Sequence, residues 1–472
     1  MEELRSAKWI FAASSAALVG CSSGSVAMDG GSTASEAGQA DASVDASPVV
    51  ADAAGSRALS GLVSTGEVVF ADKEPFPCNS PDAATHLCGV FRATVKPATD
   101  PQGGPSVVSS IGELKVLIVV RAKDELTLGT SRWVMLDAGG FGGSYGAQFG
   151  GVPPGHYVSG GKYGDDFVRM LNDDGYVTAD VIYHCPTTGT SAPCAGQPYA
   201  GWADNATGTQ ANKAQAAWYK NTQGTGYLGI AARSAALLNW GYENAGKRPL
   251  CAHAQSSGSG RVAGAMTRYG REAIVSGIIF SGGPVFAYVP WMCQTDGGPW
   301  GTRPEFYSQS QDGELAALTH DCARSKQSNC EVRDCRDKKY SSGMLNDSFA
   351  QGADLQWPNV NVGIVYGGAD DSAAWQHLKV WLPGYGGQPG IVGKTLVVKQ
   401  GFCPNDQTTW APGDPFGKRS CADWSSANFS GIQNGTAADT YEPRLGQVPH
   451  EVPETAEGAA VLRELTKTVC PM

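Results

Sequence analysis

The strongest constraint on this chain is an alternation of two residue patterns. From about residue 110 onward, short apolar runs rich in Val, Ile and Leu trade places with stretches of helical period. "GELKVLIVVRA" and "SRWVMLDAGG" are followed by the amphipathic "DDFVRMLNDDG", then by "TADVIYHCP" and by the long "GYLGIAARSAALLNWGYENAG". "RPLCAHAQ", "GSGRVAGAMTRYG", "EAIVSGIIFSGGP", "VNVGIVYGG", "KTLVVKQG" and a closing helical "ETAEGAAVLRELTKTV" continue the series. Continuous rather than alternating apolar runs mean strands buried on both faces. Strands of that kind with helices between them give an α/β fold, a mostly parallel sheet with helices on both faces. "GLVSTGEVVFA" and "LCGVFRATVKP" precede the alternation and read as antiparallel strands at the N-terminal edge, so the sheet is mixed. Gly246 and Gly270 stand where helix stops are expected.

Two segments break the pattern. Residues 284–355 hold Trp291, Trp300 and four cysteines, and 401–445 hold Trp410, Trp424 and two more. Insertions this long in a compact domain are lids or binding loops, or else surface decoration stapled by disulfides. The first is expected to be a cysteine-rich cap. At the other end, residues 22–57 are mostly Ala, Gly, Ser, Asp and Val without an aromatic residue. Such a segment cannot bury enough apolar area to offset its ordering entropy and reads as a disordered tether. The organisation is therefore a leader over 1–21, a linker over 22–57 and one catalytic-sized domain over 58–472.

The leader has Arg5 and Lys8 before an apolar stretch too short to span a bilayer, and it ends in Leu18-Val19-Gly20-Cys21. Those four residues resemble the lipobox of bacterial lipoproteins, which implies lipidation of Cys21; a plain secretory signal with an incidental cysteine is the alternative. Ser22 after the cysteine favours the outer membrane by the same resemblance. Of 13 cysteines, twelve remain beyond Cys21. An even set in an exported chain implies disulfides. Cys78 with Cys88 and Cys185 with Cys194 are expected local pairs, Cys322, Cys330 and Cys335 cluster, and Cys251 in a buried strand is the candidate free thiol. No spacing suits a structural zinc site. A net charge of −10 without a basic block argues against nucleic acid and anionic membrane surfaces as partners, leaving membrane contact through a lipid anchor alone.

Three residues, in order, carry the chemistry. Ser256 follows the strand run "LCAHAQ" and precedes a helical pattern, so its hydroxyl would sit on a tight strand–helix turn. Ala254, Gly258 and Gly260 supply the small neighbours such a turn needs, with Ala254 where glycine is common. An ordinary helix cap is the competing reading, and Ser257 is the fallback nucleophile. Asp370 lies beyond the run "NVGIVYGGAD", with Asp371 as its alternative; a turn aspartate is the plain reading. His450 lies in "GQVPHEVP", late and in a loop, where an imidazole can take and return a proton. His253, on the strand before Ser256, is expected to be packed. The amide of Ser257, at a helix N-terminus, would face a developing oxyanion. "MLDAGGFGGSYG" offers a second amide at Phe141 or Gly142, because its glycines let the backbone approach closely. A dinucleotide site is disfavoured there, since no G-x-G-x-x-G is present.

Together the glycine loop, the elbow "AQSSG", the acid turn "YGGAD" and the histidine loop resemble the α/β-hydrolase superfamily over most of 110–470. The order Ser, Asp, His is the superfamily's. The departures are Ala254, the many cysteines and the long segment before His450. The resemblance implies an α/β-hydrolase-like fold and an exported serine hydrolase, with a carboxylic ester, small or polymeric, as the expected substrate. It implies no metal and no organic cofactor. Twelve tryptophans point weakly to a large or aromatic substrate. A peptidase of the same fold, suggested by "AGGFGGSYG", and a non-catalytic surface binding protein are the alternatives.

Overall fold

The computed structural model describes residues 59, 61–78, 85–99, 113–138, 161–183, 197–203, 226–284, 348–349, 354–366, 381, 390–400, 439–441, 452–454 and 456–472. All fall in one compact unit, Ala53–Met472. The strands are β1 (Val68–Phe70), β2 (Phe76–Pro77), β3 (Leu87–Val95), β4 (Leu114–Ala122), β5 (Trp133–Asp137), β6 (Val177–Ile182), β7 (Leu250–Gln255), β8 (Val275–Ser281), β9 (Gln356–Tyr366), β10 (Val392–Gln400) and β11 (Asp439–Tyr441). The helices are α1 (Glu125–Thr130), α2 (Gly161–Asp173), α3 (Gly226–Asn244), α4 (Ser257–Tyr269) and α5 (Ala456–Val469).

One sheet holds the eleven described strands in the order β1-β3-β4-β6-β5-β7-β8-β9-β10-β11, with β2 beside β3. Pairings from β1 to β6 are antiparallel, and from β6 to β11 every pairing is parallel. The expected mixed, mostly parallel sheet is therefore present, with its antiparallel strands at the N-terminal edge. β11 corrects the reading of 401–445 as wholly irregular: Asp439–Tyr441 pairs with Val398–Gln400. β6 inserts between β4 and β5, while β7 goes to the far side of β5. The chain thus reverses its direction of travel across the sheet between β5 and β7. In open α/β sheets the crevice at the carboxyl ends of two such strands is where ligands bind.

β5 shows why the sheet needs two layers of helix. Its five residues are all buried. Trp133 and Met135 join the cluster that contains Ala231, Ala235 and Trp240 of α3 and Val262, Ala263 and Met266 of α4. Val134 and Leu136 join the opposite cluster, with Phe167, Val168 and Leu171 of α2 and Leu462 and Leu465 of α5. Alternate residues serve alternate faces, as a period of two requires. Alanine and glycine set the helix spacing. A Cβ on Gly264 of α4 would lie 2.7 Å from Ala231 and 2.6 Å from Phe349, so α4 fits only with hydrogen there. α4 stops where expected: Gly270 takes φ 66° and its N–H bonds to Ala265 O.

The Cys78–Cys88 disulfide forms as expected. Cys251 does not remain a thiol; it is bonded to Cys470, just beyond α5. Cys185, Cys194, Cys322, Cys330, Cys335, the linker and nearly all of the 284–355 insertion lie outside the described residues. Ser348 and Phe349, near the insertion's end, are buried, and Arg268 of α4 donates to the Ser348 carbonyl at 2.9 Å. Among the described residues no helix is long and apolar enough to cross a membrane.

Candidate active site at the carboxyl edge of the sheet

β7 ends at Gln255 and α4 begins at Ser257, so the whole reversal from strand to helix falls on Ser256. Its backbone takes φ 51° and ψ −122°. Among the described residues only Lys247 shares a positive φ without being glycine. A serine in this region carries roughly 1–3 kcal/mol of strain. The surrounding structure imposes it. Ser256 N–H donates to Ser281 O at 2.8 Å, which extends the β7–β8 ladder up to the bend. Ser259 N–H then donates to Ser256 O at 3.0 Å, which starts the helix at once. The strain separates the two adjacent serines: Ser256 occupies the elbow and Ser257 is already helical. Ser256 stands at the N-cap position, yet its side chain makes no capping bond to the helix among the described residues.

The elbow closes only with small residues. A Cβ on Gly258 would sit 2.1 Å from the Asp137 carbonyl oxygen, so β5 and α4 are in backbone contact there. Ala254 pairs with Asp137 in register and is fully buried, consistent with a small residue at that point. Gly283, just past β8, would drive a Cβ to 1.6 Å from Ser259 Oγ, and that hydroxyl donates to Ser256 O.

Behind the elbow are two polar networks that the sequence pattern did not reveal. In one, His253 is fully buried, edge-on to Phe167, with Nε2 3.0 Å from Ser281 Oγ. Ser281 Oγ donates to Gln255 Oε1 at 2.5 Å, so it accepts from a His253 Nε2–H. His253 is the packed residue expected from sequence. Burial lowers its pKa from 6.5 to about 3. Its folded pKa lies below its unfolded one, so the unfolded chain binds the proton first as pH falls through 6.5. Stability is therefore lost progressively between pH 6.5 and about 3. At pH 5 the loss is of the order of 2 kcal/mol. Urea midpoints measured from pH 7 to pH 4 should fall in the wild type and fall much less in His253→Gln.

The second network centres on Asp137, the last residue of β5. Arg261 of α4 donates to both of its carboxylate oxygens, to Oδ2 at 3.4 Å and to Oδ1 at closer range. Tyr183 and Ser234 donate to Oδ2 at 3.3 and 3.2 Å. Burial pushes the Tyr183 phenol far up, so it stays a neutral donor.

The remaining predicted residues lie outside the described ones: Asp370, Asp371, His450, Phe141, Gly142 and Cys21. Their described neighbours lie as follows. β9 runs parallel to β8 and ends at Tyr366, at the sheet edge that also carries Ser256, and Gly282 N–H bonds Val365 O at 2.9 Å. A 3-10 turn, Val452–Glu454, follows His450. Its Val452 is buried in the cluster that contains Leu136 and Ala138, at the end of β5. β5 stops at Asp137, where the glycine-rich run was expected to leave the sheet. Among the described residues no cluster of His, Cys, Asp and Glu could hold a metal ion.

No protein-family model matches the chain, and no curated protein matches it significantly. Solved structures are similar to it at low identity. One is a post-proline cleaving enzyme from Rickettsia typhi, at 11% identity and TM-score 0.39, covering 83% of this chain and 38% of that one. Another is a highly thermostable carboxyl esterase from Bacillus coagulans, at 12% and 0.33, covering 80% and 98%. A third is an epoxide hydrolase from an endophytic Streptomyces, at 12% and 0.30, covering 75% and 98%. The chain spans little more than a third of the peptidase structures it matches, 35% and 38%.

Proposed function

From an α/β-hydrolase-like fold with its elbow serine in place, we propose that the chain is a serine hydrolase acting on a carboxylic ester. The strained backbone of Ser256 carries this reading. Such strain persists where the surroundings over-determine it, and at a switch point it presents a hydroxyl to the crevice. In the proposed mechanism Ser256 Oγ attacks the acyl carbon while His450 takes its proton. Asp370 orients His450 and stabilises the imidazolium. The carbonyl oxygen becomes an oxyanion held by the amide of Ser257 and by that of Phe141 or Gly142; one such donor contributes roughly 3 kcal/mol. His450 returns the proton to the leaving alcohol, and water then hydrolyses the acyl-enzyme. The ends of β9 and β8 at the Ser256 edge, and the burial of Val452 beside Ala138, support bringing Asp370 and His450 to the elbow.

We also propose export, with a lipid on Cys21 as the membrane anchor. The Cys78–Cys88 and Cys251–Cys470 bonds support an oxidising compartment.

A fluorophosphonate probe tests the reading. The folded wild type should label on the peptide that contains Ser256, and His450→Ala should slow labelling by at least about 10³-fold. Chromogenic esters and aminoacyl substrates assayed side by side should show ester cleavage dominating. Dominant aminoacyl cleavage would make the chain a peptidase. No labelling of folded protein would make it a binding protein.

A further inference from the structure

We propose that Arg261 is a positioning residue that holds the start of α4, and with it the Ser257 amide, at a fixed distance from the end of β5; the inference rests on the hydrolase reading above. Arg261 is buried at 1% exposure, one turn into the helix that Ser256 begins. Its guanidinium reaches three structures at once. It clasps the Asp137 carboxylate, donates from Nη2 to the Ala138 carbonyl at 2.7 Å, and lies with Nη1 3.5 Å from Ser257 Oγ. It also stacks over the Tyr183 ring at 4.9 Å. Ala138 is the last residue before the glycine run 139–143, which holds the second oxyanion amide in the proposed mechanism. Ser257 carries the first. A single rigid fork on α4 therefore ties the helix that opens with the Ser257 amide to the end of β5.

The geometry at Gly258 makes this tie consequential. There the helix already touches the Asp137 carbonyl with no room for a methyl group. Contact prevents the helix from moving closer to β5, and Arg261 prevents it from moving away. Oxyanion donors lose most of their effect when displaced by about 1 Å, so a two-sided clamp is of use. A lysine cannot replace the fork, because one ammonium cannot span a carboxylate and a carbonyl bidentately.

The test uses the full-length chain. Arg261→Lys should lower kcat for a chromogenic ester by about 30-fold or more with KM within about 3-fold, because the lost interaction acts on the transition state. Affinity for a boronic acid, whose tetrahedral adduct mimics the oxyanion, should fall in parallel. Arg261→Met alone would leave Asp137 buried without its cation and threatens folding. The double variant Asp137→Asn/Arg261→Met removes both charges. If it melts close to wild type yet stays slow with wild-type KM, the clamp is confirmed. If kcat and boronate affinity return with stability, or if Arg261→Lys matches wild type in kcat, the pair is merely structural and the inference fails while the hydrolase reading stands. A folded wild type that neither labels nor hydrolyses esters overturns that reading and this inference with it.

Discussion

Ser256→Ala is expected to lower ester hydrolysis by roughly 10⁴- to 10⁶-fold, the range seen when a nucleophile that works with a base is removed. Ser257→Ala should lose far less, because alanine keeps the amide that Ser257 contributes, and among the described residues its hydroxyl makes only a long 3.5 Å contact with Arg261, which stays on α4 and keeps its bonds to β5. Stability measurements sharpen the comparison. If Ser256 were a helix cap, alanine would cost about 1 kcal/mol. Its side chain makes no capping bond among the described residues, so Ser256→Ala should not incur that capping cost. Alanine keeps the Cβ and hence the strain at φ 51°. Ser256→Gly removes it and should stabilise the fold by about 1 kcal/mol while remaining inactive. A dead variant more stable than wild type marks a residue retained for chemistry at the expense of stability. Loss of activity in Ser257→Ala with Ser256→Ala active would move the nucleophile by one residue.

The outcome of the sequence reading follows from which forces are local. β5, β7 and β8 were legible because strands buried on both faces must be continuous apolar runs, and "WVMLD" and "LCAHAQ" are such runs. The end of α4 was legible because Gly270 takes a left-handed conformation that glycine adopts at no steric cost. The elbow was legible because a close strand–helix contact demands small residues at fixed offsets, and Gly258 meets that demand. Strand order was not legible. Nothing in β6 itself states that it inserts between β4 and β5. Short elements were also missed. α1 has six residues, too few for a period to register, and is held by its Asp124 cap, which accepts from Thr127 N–H at 2.7 Å. Arg261 was passed over because its meaning lies in Asp137, on a distant strand. Its one local signal is a charge amid "RVAGAM", a stretch otherwise fit only for burial.

The same argument applies with most force to Cys251, whose partner lies 219 residues away. Cross-linking so long a loop restricts the unfolded chain strongly, and removal of a native disulfide typically costs about 2–5 kcal/mol. The bond lies inside the core. Cys251 and Cys470 are both buried, in the cluster with Val134, Ile279 and Leu465. Gly277 of β8 leaves the room they need, since a Cβ there would come within 2.6 Å of Cys470 Sγ. Cys251→Ala/Cys470→Ala should therefore lower unfolding free energy by about 2–5 kcal/mol in urea without reductant. The single variants discriminate between the bond and its packing. Either one breaks the bond completely, so each should cost nearly as much as the pair, a strong departure from additivity. Two independent thiols would give additive losses, each of the size of a small core truncation. The bond also anchors the C-terminal end of α5 to the strand that leads into Ser256. The 3-10 turn at Val452–Glu454 lies at the opposite end of that helix. At temperatures where the double variant remains folded, its ester KM and kcat should both stay within a few fold of wild type. Its activity should then disappear at the lower urea concentration at which it unfolds.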